Sequence, residues 1–95
     1  VNENPDGHLS EMQLSNVYPN PSSGSVRIDY FLPPSEKTGD IIITDMHGKE
    51  MKRYMVDRSF NYLEISPTEL PAGVYFYSLM TPQGNMLSKK MIRVR

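Results

Sequence analysis

The chain has 95 residues, no cysteine, 38% hydrophobic and 22% charged residues, and a net charge of -1. That length supports one domain around a single core and leaves no room for a second. The composition excludes wholesale disorder, and no apolar run approaches the ~20 residues that span a bilayer. The balance of charge also lacks the surplus of Lys and Arg that a nucleic-acid binder turns toward phosphates. Without cysteine there are no disulfides, no thiolate catalysis and no Cys-ligated zinc.

Residues 1–11, with Asn2, Asn4, Pro5, Asp6, Gly7 and Ser10, carry turn chemistry without a period and read as a linker. The chain starts with Val and shows no basic-then-apolar leader, so it is expected to be a piece of a longer protein. Order is expected from Met12, where Met12, Leu14 and Asn16 alternate with Gln13, Ser15 and Val17 as a short edge strand. Tyr18-Pro19-Asn20-Pro21-Ser22-Ser23-Gly24 then reverses the chain rigidly, because two prolines withhold ladder donors and hold the preceding residues extended.

Val26, Ile28 and Tyr30 alternate with Arg27, Asp29 and Phe31 as a half-buried strand that Pro33 and Pro34 end. Asp40 to Met46 is a β-branched run, and His47-Gly48 reads as a two-residue type I′ turn into a returning strand from Lys49 to Met55, with Met51 as its core residue. Tyr62 to Ile65 is a further strand placing Leu63 and Ile65 on one face. Ser66-Pro67-Thr68-Glu69 has the form of a capping box with proline at the first helical position. Leu70-Pro71 follows so soon that a single helical turn is expected, carrying the chain from one sheet to another.

Leu70-Pro71-Ala72-Gly73-Val74-Tyr75-Phe76-Tyr77 joins a breaker to a run apolar on both alternating faces, which predicts a strand at the centre of a sheet, covered on both sides. After a turn at Pro82-Gln83-Gly84-Asn85, Met86 to Val94 returns as the last strand. In it Ile92 and Val94 are expected inward, and Lys89, Arg93 and Arg95 outward. About seven short strands and no helix beyond one turn predict an all-β, immunoglobulin-like antiparallel β-sandwich, with a small barrel as the competing architecture.

Signatures of catalysis are missing. His8 lies in the linker and His47 in a tight turn, so neither a Ser-His-Asp relay nor a zinc site has a framework. Asp40 and Asp45 flank the Ile run, and Asp45 is placed to accept backbone N–H bonds within the turn. Asn2, Asn4 and Asp6 fail the spacing of a calcium loop. No cofactor is expected and the chain reads as a non-enzyme. The charge is unevenly placed, with Glu3, Asp6 and Glu11 before the first Lys or Arg and Lys89, Lys90, Arg93 and Arg95 crowding the tail. A cationic strand at the tail serves either to blunt a sheet edge or as a docking element for an acidic receptor.

Three features resemble the type A C-terminal sorting domain of the type IX secretion system of Bacteroidetes. They are Val17-Tyr18-Pro19-Asn20-Pro21-Ser22-Ser23-Gly24 before a strand, the hairpin Ile43-Thr44-Asp45-Met46-His47-Gly48-Lys49-Glu50, and Leu70 to Phe76 combined with the terminal Lys89-Lys90-Met91-Ile92-Arg93-Val94-Arg95. The resemblance implies that residues 12–95 are a non-catalytic export address behind an upstream cargo domain, recognised by an outer-membrane translocon. In that family a sortase-like signal peptidase commonly removes the domain and attaches the cargo to anionic lipopolysaccharide. The cut would then fall in the linker, and the cargo would travel through the periplasm to the cell surface or medium.

Family motif residues map onto Tyr18, Pro19, Asn20, Pro21, Asp45, Gly48, Pro71, Gly73 and Tyr75, acting in recognition or in folding, and residues 89–95 are the expected translocon contact. Arg93 and Arg95 stand where the family often has Lys, and Met91 where a β-branched residue is usual. The alternative is an immunoglobulin-like adhesive or carbohydrate-binding module, for which Tyr18, Phe31, Tyr54, Phe60 and Tyr62 are the candidate platform. A spacer packed on a neighbouring domain is a third reading.

Overall fold

Alternating residues become alternating faces. The computed structural model describes residues 12–21 and 23–94, and in it Val26, Ile28 and Tyr30 are buried while Arg27, Asp29 and Phe31 are half-exposed along strand β2 (Val26–Phe31). The other strands are β1 (Gln13–Leu14), β3 (Thr38–Asp45), β4 (Glu50–Asp57), β5 (Tyr62–Ile65), β6 (Gly73–Met80) and β7 (Met86–Arg93). They form two antiparallel sheets, ordered β1-β2-β5 and β4-β3-β6-β7. This is the expected sandwich, with no helix among the described residues.

The core lies between the sheets. Ile28 and Ile65 from one sheet meet Ile41, Ile43, Tyr77, Leu79 and Met91 from the other, all fully buried. Each such side chain contributes about 1.5–3 kcal/mol relative to exposure. On β4 the buried residue is Val56, and Met51 packs only partly against the core. The pairing of β3 with β4 shifts between Ile43 and Thr44, so that Met51 has no partner in the β3–β4 register. In β1 only two residues pair, and beyond them Val17 is buried where the alternation pointed to Asn16.

Three local expectations are corrected. The β3–β4 connection is not a type I′ turn, since His47 keeps a negative φ and only Gly48 is positive, at 85°. Gly48 N–H donates to the Asp45 carbonyl at 3.0 Å and Asp45 N–H to the Lys49 carbonyl at 2.9 Å, a type I turn followed by a left-handed glycine. Asp45 selects it: its Oδ1 accepts His47 N–H at 2.8 Å and Lys49 N–H at 2.9 Å, as its position suggested.

Second, Ser66 to Glu69 is a hydrogen-bonded turn without helical residues. Glu69 Oε2 accepts both Ser66 N–H at 2.9 Å and Ser66 Oγ–H at 3.1 Å, closing the box before a helix can extend. It still carries the chain from β5 in one sheet to β6 in the other. Third, β6 is central within its sheet but covered on one face only. Tyr75, Tyr77 and Leu79 point inward, whereas Phe76 is 41% exposed, flanked by Thr44 and Lys90 on the strands either side.

Candidate functional site

The register of β7 decides which of its side chains can be met from outside. Cross-strand partners share a face, and β7 pairs Tyr75 with Met91, Tyr77 with Lys89 and Gly73 with Arg93. Because Tyr75 and Tyr77 face the core, so do Met91, fully buried, and Arg93, only 3% exposed. Ile92 is half-buried on the outer face and Val94 is 46% exposed. The inward placement of Ile92 and Val94 and the outward placement of Arg93 are thus reversed, and Lys89, expected outward, shares the inward side with Tyr77 but is half-exposed near the sheet border. Apolar identity misled the assignment, since the longest cation in the strand is the one that reaches inside. Arg95 lies outside the described residues, as do residues 1–11 and Ser22.

Arg93 can be buried because acceptors wait for it. One guanidinium nitrogen donates to the Gly24 carbonyl at 2.6 Å and the other to the Pro67 carbonyl at 3.1 Å. Its cross-strand partner Gly73 has no side chain to crowd it. A fork of fixed donors suits two carbonyls from separate loops better than an ammonium would. One residue away, Ile92 N–H donates to Asn20 Oδ1 at 2.9 Å. The Tyr18–Gly24 reversal, the Ser66–Glu69 turn and the last strand, far apart in sequence, are therefore tied at one point. Asn20 supplies the side-chain link.

Of the remaining motif residues, Gly73 and Tyr75 lie on the strand beside β7, and the others are distributed over the fold. Tyr75 is buried and its hydroxyl donates to the Pro71 carbonyl at 2.8 Å, folding the breaker over the start of β6. Gly73 has φ 157°, and a Cβ there would meet the Tyr75 ring at 3.5–3.6 Å, so backbone conformation rather than space favours glycine. Tyr18 bridges to Arg27 through paired backbone bonds of 3.0 and 2.9 Å, and its hydroxyl donates to Asp29 Oδ2 at 2.8 Å. Pro19 and Pro21 are exposed in the reversal. Asp45 and Gly48 sit in their hairpin at the far side of the sheet from β7.

The perturbed ionisations follow from hydrogen bonds and burial within the fold. The Tyr18 hydroxyl, and then Arg27, hold the Asp29 carboxyl below its ordinary range. Backbone N–H groups of Lys49 and His47 do the same for Asp45. The Tyr54 hydroxyl and Ser66 N–H lower Glu69, and burial together with that carboxylate pushes Tyr54 well up. Among the described residues no three His, Asp or Glu come together to hold a metal.

Glu36 had no signature in the sequence, yet it is buried and accepts Thr81 Oγ1–H at 3.0 Å and Asn85 Nδ2–H at 2.9 Å. It fastens the loop before β3 to the β6–β7 turn. A lone Glu in a polar loop offers no periodic cue to this. The candidate aromatic platform is divided: Tyr54 bonds Glu69, and the Tyr62 ring is covered by Arg27 at 4.1 Å. Phe60 meets Tyr62 edge-on with centroids 6.4 Å apart.

Comparison with known proteins gives one family. A family model described as a secretion system C-terminal sorting domain matches residues 16–94. A search of curated proteins found no match.

Proposed function

The chain belongs to the family of secretion system C-terminal sorting domains of the type IX pathway, and on that premise we propose that its address is read at β7. The observation that carries this reading is the contrast within one strand. Arg93 and Met91 anchor it, while Lys90 is exposed and Lys89 half-exposed on a strand that ends its sheet. A docked, rigid cationic strand loses little conformational freedom when an acidic receptor binds it, and its charge speeds the encounter. Of residues 89–95, Lys89, Lys90, Ile92 and Val94 form the contact with the outer-membrane translocon, and Met91 and Arg93 hold them in place.

On this reading the domain has no catalytic role. A sortase-like peptidase cuts within residues 1–11, and the upstream cargo is delivered to the cell surface or medium. The test is a fluorescent protein fused ahead of residues 1–95 in a host with the pathway, compared with the same fusion carrying Lys89→Glu and Lys90→Glu. Surface delivery by the parent and its loss in a variant that melts at the same temperature is the expected result. Equal delivery by both overturns the role of the strand.

A further inference from the structure

The four-stranded sheet has two edges, and they are finished differently. On β4 the ladder is interrupted by the shift at Ile43 and Thr44, and Arg53 bonds both Glu50, at 3.1 Å, and Asp40, at 2.9 Å, along that border. Bulges and charges of this kind are how natural sheets refuse a further strand. β7 runs for eight residues against β6 without a register shift. In the other sheet the edge strands have two and four residues, too short to template much pairing. β7 is the long regular edge.

Its hydrogen-bonding groups can be assigned by alternation. Ile92 N–H points away from β6, since it reaches Asn20 Oδ1. With a period of two, the N–H and C=O groups of Lys90 and Ser88 point the same way, and those of Lys89 and Met91 pair with β6. β1 lies against β7 but pairs with β2. Among the described residues, Asn20 alone closes this edge, at Ile92.

We propose that the outer edge of β7 from Met86 to Lys90 is a strand-addition site for an extended acidic segment of the export machinery, with Asn20 ending the pairing at Ile92. This rests on the sorting reading above and specifies how that partner is held. Main-chain bonds to Ser88 and Lys90 supply affinity, and alternate side chains supply choice. On the outer face Met86 is 58% exposed and Phe76 stands beside Lys90, so an incoming strand fits with apolar residues and a carboxylate alternating. A second copy of this chain is a poor occupant. Antiparallel self-pairing centred on Lys89 sets Lys89 against Lys89, with Lys90 of each copy close by, and like charges directly opposite are destabilising.

Proline makes the test specific. Ser88→Pro removes an N–H that faces outward and spares the backbone ladder between β6 and β7, losing only the 2.7 Å bond of Ser88 Oγ with Ser78 Oγ that Ser88→Ala loses as well, whereas Lys89→Pro breaks the ladder. The reporter fusion is compared as parent, Ser88→Ala, Ser88→Pro and the Lys89/Lys90 charge reversal. Delivery falling about tenfold or more with Ser88→Pro, at unchanged melting temperature and with Ser88→Ala normal, supports strand addition. Delivery by a folded Ser88→Pro variant equal to the parent overturns it, even if charge reversal still blocks export and so upholds the sorting reading.

Should Ser88→Pro fail to fold, single cysteines decide, since the chain has none of its own. A photo-crosslinker on Ser88→Cys that captures a machinery component, where one on Lys52→Cys in β4 does not, supports the site. Equal capture or none overturns it. A dimer of the isolated chain that Ser88→Pro abolishes also overturns the assignment, because the edge would then belong to a second copy.

Discussion

The two halves of β7 obey different rules. From Met91 to Arg93 every residue is committed: Met91 to the core, Ile92 N–H to Asn20, Arg93 to Gly24 and Pro67. From Met86 to Lys90 side chains are exposed or half-exposed, and alternate backbone groups face outward. Stability is concentrated at one end and accessibility at the other, so substitutions three residues apart should report on different properties. A recognition strand gains from this division, because a mobile strand would lose its ordering entropy on binding.

The largest effect should come from the committed half. Arg93→Met leaves two loop carbonyls without their donors inside the protein and is expected to cost about 3 kcal/mol or more, read by urea unfolding. Arg93→Lys should recover only part of that loss, since one ammonium cannot reproduce the fork. If Arg93→Met melts like the parent, the division of the strand is wrong.

Next comes the core beneath the strand. Tyr77 is fully buried and its hydroxyl donates to the Ser15 carbonyl at 2.7 Å, so Tyr77→Phe should lose about 1–2 kcal/mol in the same assay. A smaller effect is expected for Asn20→Ala, about 0.5–1 kcal/mol, accompanied by faster hydrogen exchange at the Ile92 amide than at Met91. Unaltered exchange at Ile92 would show that Asn20 does not close the edge.

Asp45 provides a control remote from β7. Its folded-state pKa is lowered, so its charge adds stability above the unfolded value of about 4, and that contribution is lost as pH falls through the folded value. Parent and Asp45→Asn should therefore differ at neutral pH and converge on acidification, in thermal melts across that range. The smallest effect on stability belongs to the open half: Lys90→Glu should change it by no more than about 0.5 kcal/mol. Reduced export in that variant would separate reading from folding.

Much of the sandwich was legible because short-range chemistry dictates it. The period of two in Val26 to Phe31, the β-branched run of β3, and the Gly and Pro punctuation mark strands and turns without reference to anything distant. Asp45 was legible as a turn support because its partners lie within four residues. The order Tyr18–Gly24, Asp45–Gly48, Leu70–Phe76 and a basic tail also carried the family, which is a property of sequence and needs no coordinates.

Positions whose partners are remote were not legible. Glu36 meets Thr81 and Asn85 across more than forty residues, and Arg93 meets Gly24 across 69. An exposed Phe76 and a buried Arg93 invert what hydropathy ranks. By itself the sequence determined the class of fold, its strands and the family. Only tertiary structure decided which face of β7 is buried and which edge stays open, because one residue of register turns every side chain of a strand over, and that register is set by β6 and by loops far away in the chain.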